Sequence, residues 1–395
     1  MSPPSALADV PAGGRPPYLL DLEPVVAEVV APMAGDVDRH GTYPRPALDA
    51  LGAAGLLGLV SAPEVGGMGG GHRAAAVVVR ELARNCASTA MVVLMHYAAT
   101  AVLEAHGPTE VREAIAAGRY VASLAFSEAG SRSHFWVPTS SAKAGDGEVR
   151  LDARKSWVTS AGEADGYVWT SRPVADRGVG ATQAGQAAST LWLVPGGAAG
   201  LSVGAPFDGL GLRGNKSSPM VAEGVVVGND AMLGPDGGGF DVMIGAVLPW
   251  FQVMNAAFSI GTADVATTRA AAYVAVTRLE HLDQSLADNP TTRAYVARMR
   301  ISTDAADALL LDTLAALESG RADAMLRVLE VKAAASEAAA SVTDLAMRVC
   351  GGSAFRKEVG VERNFRDARA ATVMAPTTDM LYDFVGRVAC GLPLF

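Results

Sequence analysis

Apolar and polar positions along this chain change rhythm twice, which divides it into three regions. From about Leu20 to Gly118 apolar residues recur at helical spacing. Asp49 to Leu57 is apolar and Ala-rich and ends at Gly58; Arg73 to Leu82 resumes the spacing; Glu110 to Ala117 predicts a short amphipathic helix closed by Gly118. From about Tyr120 to Leu233 the period shortens. Val121–Phe126, Val149–Ala153, Tyr167–Thr170, Leu191–Val194 and Val225–Val227 are strand-like runs separated by Gly, Asp and Pro turns, the pattern of a β-barrel or sandwich. Asp176 to Thr190 is Gly/Ala-rich and reads as a mobile loop. Beyond Gly237 long-range helical periodicity returns. One apolar stripe runs through Val296, Met299, Ala306, Leu310, Leu314 and Leu317, another through Leu326, Leu329, Ala333, Ala340, Leu345 and Val349. They predict two long helices ending at Gly320 and Gly351, within a bundle.

The expected organisation is therefore α+β: a disordered tail over 1–19, a helical domain over 20–118, a middle β domain over 119–233 and a helical bundle over 234–395. A chain of 395 residues has room for such lobes. The first residues are rich in Pro, Gly and Ala and lack a basic stretch leading into an apolar run, which reads as a tail rather than a signal peptide. Cys86–Leu103 carries no formal charge, but it holds Ser88, Thr89, His96, Tyr97 and Thr100; a buried helix is the reading, not a membrane span. The net charge of −9 and the absence of a Lys/Arg cluster argue against a nucleic-acid partner. Three cysteines without C-x-x-C spacing and six scattered histidines imply neither a disulfide framework nor a metal site. His96, on an apolar helix, reads as a satisfied core histidine.

Several motifs carry chemistry, and their order is informative. Near the C-terminus stand Cys350-Gly351-Gly352-Ser353-Ala354-Phe355, then Asn364-Phe365-Arg366-Asp367-Ala368-Arg369, then Ala375-Pro376-Thr377-Thr378-Asp379. Upstream lie Pro63-Glu64-Val65-Gly66-Gly67-Met68-Gly69, Phe126-Ser127-Glu128-Ala129-Gly130-Ser131-Arg132-Ser133-His134, Lys155-Ser156-Trp157-Val158-Thr159-Ser160 and Leu210-Gly211-Leu212-Arg213-Gly214-Asn215. The Gly-rich 63–71 stretch lacks the Lys-Ser/Thr of a phosphate loop and reads as a structural turn, and Leu210–Asn215 also reads as structural. A Trp two residues before a Thr on one strand suits a planar, hydrogen-bonding cofactor.

Taken together, these motifs resemble the acyl-CoA dehydrogenase superfamily over roughly residues 20–395. The resemblance implies an N-terminal helical domain, a middle β-barrel or sandwich and a C-terminal four-helix bundle. It also implies bound FAD, with FMN the alternative, assembly as a homodimer or homotetramer, and a cytoplasmic location. It assigns flavin contacts to Phe126, Ser127, Ser133, Trp157, Thr159, Thr377 and Asp379. Arg278 falls where the family reaches the flavin pyrophosphate across a subunit interface, and Gly351 and Gly352 fall where a turn meets the partner's adenine.

The chain departs from the family where the reaction is decided. Ala375 stands where a Glu usually takes the α-proton of an acyl thioester, and Phe251 occupies the alternative position for that base on a bundle helix, with Gln252 in place of an adjacent Arg. Losing a general base costs roughly 10²–10⁴-fold in rate. The expectation is a monooxygenase that uses flavin reduced by a separate reductase and acts on a small aromatic or amine substrate. Phe135, Trp136, Trp250, Phe251, Gln252 and Ala375 would line the pocket, and His134 and Ser133 would handle protons. The alternatives are an acyl-CoA or acyl-carrier-protein dehydrogenase with a relocated base, and a catalytically silent structural or binding homologue.

Overall fold

Helix α1 (Pro17–Val25) passes through a π-helical turn (Val26–Val30) into α2 (Ala31–His40), and α3 (Arg45–Ala53) follows. The computed structural model describes residues 15–131, 134–174 and 188–394. Of the expected tail, residues 1–14 lie outside that range, and Pro17 already begins a helix. Proline suits a first helical turn, and Leu19 and Leu22 are buried. The apolar run that begins at Asp49 does not stay helical to Leu57. The helix ends at Ala53, Gly55 turns the chain at φ +74, and Leu56 and Leu57 are buried from within the turn. Then come α4 (His72–Asn85), α5 (Ala87–His106) and α6 (Thr109–Ala116).

The middle lobe forms a sandwich. Strands β1 (Ala122–Ala125), β4 (Gly166–Ser171), β5 (Thr190–Pro195) and β8 (Met232–Leu233) make one sheet in the order β1-β4-β5-β8. Strands β2 (Ser141–Ala144), β3 (Glu148–Val158), β6 (Leu201–Val203) and β7 (Ser218–Gly228) make the other in the order β2-β3-β7-β6. All five expected runs fall in strands. The short β2 and β6 escape a sequence reading because they span only four and three residues and are largely exposed, too short for a period to register. The expected 176–190 loop lies almost wholly outside the described residues; its end, Ser189 and Thr190, is buried at the start of β5.

The C-terminal lobe begins with α7 (Gly239–Val242), runs through a π-helical turn and then forms α8 (Leu248–Val276). The two-residue strands β9 (Arg278–Leu279) and β10 (Gln284–Ser285) pair before α9 (Pro290–Ser319), α10 (Ala324–Cys350), α11 (Val361–Val373) and α12 (Thr378–Ala389). The long helices stop at Gly320 and Gly351, both at positive φ, where glycine carries no Cβ penalty.

Two helical stretches, Ala87–His106 and Gly239–Val276, are long and apolar enough to cross a membrane, and both are mostly buried inside the molecule. In α5 His96 is satisfied: the Ala122 amide donates to Nδ1 at 3.1 Å, so Nε2 donates to the Leu57 carbonyl at 3.0 Å. Burial lowers its pKa to about 4.

Contacts that dock the lobes include Arg80 with Asp307 and Arg84 with Asp264, between α4 and the bundle, and three more. Arg366 of α11 holds Asp38 of α2 through both nitrogens at 2.8 and 2.6 Å, Asp367 accepts from the Leu212 amide at 2.7 Å, and Tyr43 donates to Ser160 at 3.0 Å. Within the first lobe, α3 crosses the end of α6 backbone to backbone, and a Cβ on Gly52 would lie 2.5 Å from the Gly118 carbonyl oxygen. Gly52→Ala is therefore expected to lower stability by about 1–3 kcal/mol, measured as a fall in the thermal melting midpoint.

Candidate functional site

β3 does not run straight to its end. The pairing with β7 shifts between Lys155 and Val158, and Trp157 is pushed into φ +57, a strained conformation for an aromatic residue. The residue is 71 % exposed. Two residues later Thr159 turns inward, is buried, and lies 3.1 Å from the Ser217 hydroxyl, while its carbonyl accepts from Ser123 at 2.7 Å. The Trp is thus presented outward and the Thr anchored inward.

Opposite this strand runs the segment after β1. Phe126 is buried, and the Ser127 carbonyl accepts from the Ser156 amide at 2.8 Å, so Ser127 and Trp157 sit on neighbouring backbones. Glu128 anchors the segment. It is fully buried and accepts from Lys155 Nζ at 2.5 Å, from the Thr139 amide at 2.7 Å, from the Ser140 amide and hydroxyl at 3.0 and 2.7 Å, and from the Thr139 hydroxyl. Burial alone would raise its pKa. The Lys155 charge and these donors outweigh that and hold the carboxyl below its usual range. Lys155 also donates to the Thr170 carbonyl and hydroxyl, each at 2.7 Å. Alternation along β3 puts Lys155 on the inward face with Val149, Leu151 and Ala153, so a buried charge is legible there; its partner Glu128, 27 residues away in the chain, is not.

The aromatic residues separate into two groups. Phe126 stacks on Phe135 at 6.3 Å, Phe135 meets Trp136 edge-on at 5.0 Å, and Trp136 lies 6.3 Å from Phe384 of α12. His134 is exposed, with its ring edge-on to Trp136 at 5.4 Å. Ser133 lies outside the described residues. Trp250 instead stacks on His72, at the start of α4, at 4.1 Å, and Phe251 is buried in the same large core as Phe135 and Trp136. Gln252 is fully buried, and neither amide atom has a partner among the described residues.

Around residue 375 the chain leaves α11 and enters α12. The Thr377 hydroxyl caps α12 by accepting from the Met380 amide at 3.4 Å, and Asp379 is exposed in the first turn. Ala375 is half-buried between them and the bundle. Beneath it lies Lys332 of α10, fully buried, whose Nζ donates to the Met374 carbonyl at 2.9 Å and the Pro376 carbonyl at 2.6 Å. The sequence reading missed Lys332. The available signal was a lysine inside the apolar stripe of α10, between Leu329 and Ala333.

The remaining predicted contacts are peripheral within this chain. Arg278 is exposed and held by Asp283, and Gly351 and Gly352 are exposed with open space where a Cβ would stand. A cavity of about 590 Å³ lies elsewhere, between α2, the 209–213 loop and the start of α11, lined by Arg213, Arg269, Lys357 and Arg363 among others. None of the predicted flavin residues lines it.

Because Glu128 and Lys155 are sealed from water, removing one strands the other. Lys155→Met is expected to cost about 3–5 kcal/mol in denaturant unfolding, and Glu128→Gln with Lys155→Met to recover part of it.

Comparisons agree with this architecture. Family models for the acyl-CoA dehydrogenase N-terminal, middle and C-terminal domains match residues 22–118, 123–225 and 237–390. The mitochondrial short-chain specific acyl-CoA dehydrogenase of Homo sapiens is 27 % identical over 365 residues, covering 88 % of this chain and 83 % of that one. Butyryl-CoA dehydrogenase from Megasphaera elsdenii superposes with a TM-score of 0.87 at 21 % identity, covering 96 % of this chain and 100 % of that one. A structure of PigA with FAD and proline superposes at 0.85 with 17 % identity, covering 95 % and 96 %. With all three family domains matched in order across most of its length, this chain belongs to the acyl-CoA dehydrogenase family of FAD-binding flavoproteins.

Proposed function

We propose that this flavin-dependent oxidoreductase is a monooxygenase that uses FAD reduced by a separate reductase and acts on a compact aromatic or amine substrate. One observation carries the reading: Ala375 offers no carboxylate at the family's base position, and Phe251 offers none at the alternative one. Coupled removal of an α-proton and a hydride has no acceptor for the proton at either position. Oxygen transfer needs none there.

The exposed, strained Trp157 fits a planar flavin laid against β3, with Ser127 on the neighbouring backbone. Phe126, Thr377 and Asp379 belong to the same proposed cradle; Thr159, whose hydroxyl turns in toward Ser217, would serve it through the backbone, and Ser133 is the remaining proposed contact. Arg278, Gly351 and Gly352 are exposed, as groups that serve a partner subunit's flavin would be. Reduced FAD supplies the reaction with oxygen. This chain's part is to shape and dry the pocket. Phe135, Trp136 and Phe384 provide an apolar wall, and His134 stands at its exposed edge as the proposed proton donor. Exposed Val276, Phe355 and Val373 on the C-terminal lobe support assembly as a homodimer or homotetramer, and we place the protein in the cytoplasm.

A second reading, an acyl-thioester dehydrogenase with a moved base, draws support from Lys332. Burial lowers its pKa to about 7, and it lies beside Ala375.

Trp157→Ala is expected to weaken FAD retention by roughly 1 kcal/mol, about five-fold, measured by equilibrium dialysis. After anaerobic reduction and rapid mixing with oxygen, the wild type is expected to re-oxidise in two phases. Products formed from a panel of phenols and secondary amines are expected to contain labelled oxygen, and His134→Ala should change the second phase. Single-phase re-oxidation with no label incorporated, together with rapid anaerobic bleaching by butyryl-CoA, would replace this reading with the second.

A further inference from the structure

The amine of Lys332 brackets Ala375, holding the carbonyls on both sides of it. On α10 and on α8, which packs against it, five buried polar atoms have no hydrogen-bond partner among the described residues: both amide atoms of Gln252, Asn255 Oδ1, Ser259 Oγ and Ser336 Oγ. Gln252, Asn255 and Ser259 recur at three and four residues and so share one face of α8. Asn255 Nδ2 donates to Met374 Sδ at 3.5 Å, which sets that face against the 374–376 segment. Ser336 stands one turn beyond Lys332 on α10.

Helix α10 packs against α8, α9, α11 and α12. Their acidic groups are engaged elsewhere or face water. On α8, Asp264 takes Arg84 and Arg300; on α9, Asp307 takes Arg80, Asp304 takes Arg300, Asp312 takes Arg321 and Glu318 takes Arg73. On α11, Glu362 takes Arg366 and Lys357, and Asp367 takes the Leu212 amide. On α10 itself Glu330 takes Arg327, while Glu337 and Asp344 are exposed, as are Asp379 and Asp383 of α12. Lys332 thus has no carboxylate partner among the described residues, and burial is the sole cause of its lowered pKa.

We propose that the site selects a ligand bearing a carboxylate, bound against the 374–376 segment, with Lys332 as the positioning residue that supplies the selectivity. The inference rests on the flavin-site reading above, because it takes Ala375 to face the substrate. A glutamate at 375 would bring its own negative charge close to this amine. Alanine leaves the cation unbalanced in an apolar bundle, where an arriving anion is weakly screened. Lys332 acts through its field and through the backbone it holds, and it need not touch the ligand.

The test uses the full chain loaded with FAD and two probes of the same shape, benzoate and benzamide, titrated by isothermal calorimetry between pH 6 and pH 9. Benzoate stays ionised throughout. It is expected to bind at least tenfold more tightly than benzamide at pH 6. The ratio should fall as pH rises through the Lys332 titration and the amine loses its charge. K332M is expected to bring the ratio close to one at every pH, while K332R keeps it. A375E, which supplies an internal carboxylate, should also abolish the preference and remains informative if K332M does not fold. Equal affinities in the wild type, binding of neither probe, or a preference undiminished in folded K332M or A375E would overturn the inference. FAD retention, followed by absorbance in the same samples, reports separately on the flavin reading. Loss of flavin with the benzoate preference intact would sink that reading and leave the charge selectivity standing.

Discussion

The buried pair of Glu128 and Lys155 is the constraint on which the proposed flavin face depends. Glu128 lies on the continuation of β1 and Lys155 on β3, strands of different sheets, and Lys155 also grips Thr170 of β4. A carboxylate and an ammonium removed from water are tolerated only when nearly every lone pair and proton is used, and here five donors converge on one carboxylate. The geometry that satisfies both charges also fixes Ser127 beside Ser156 and carries β3 into the irregularity that turns Trp157 outward. Electrostatic satisfaction in the sandwich thereby sets the shape of a surface several residues away.

The same logic joins the lobes. Helix α11 acts as a clamp: Arg366 reaches α2 in the first lobe, and Asp367 reaches the 209–213 loop of the second. Both contacts use charged acceptors at short range, which are stronger than neutral hydrogen bonds. Because α11 leads directly into residues 374–378, the helix that carries these two docking contacts also places that segment.

At that segment the family scaffold is kept while the carboxylate at position 375 is absent. Lys332 holds the backbone on both sides of residue 375, and Thr377 caps α12. The side chain that would project from this support is a methyl group. The charge nearest residue 375 is therefore the Lys332 amine below the segment and not a side chain of the segment itself.

Much of the fold was legible because it rests on periodicity and punctuation. The strand runs, the helix stops at Gly320 and Gly351, and the buried rather than membrane character of Cys86–Leu103 follow from local residue order. So does the loss of the carboxylate at 375, which is a matter of identity alone. What tertiary structure decided are pairings between residues far apart in the chain. Trp250 joined His72 instead of the aromatic group at 135 and 136; Thr159 turned to Ser217; Glu128 met Lys155; and Lys332 came to lie under Ala375. No local pattern encodes these contacts, because each depends on how helices and sheets cross, and a buried charge finds its partner only after the chain has closed around it.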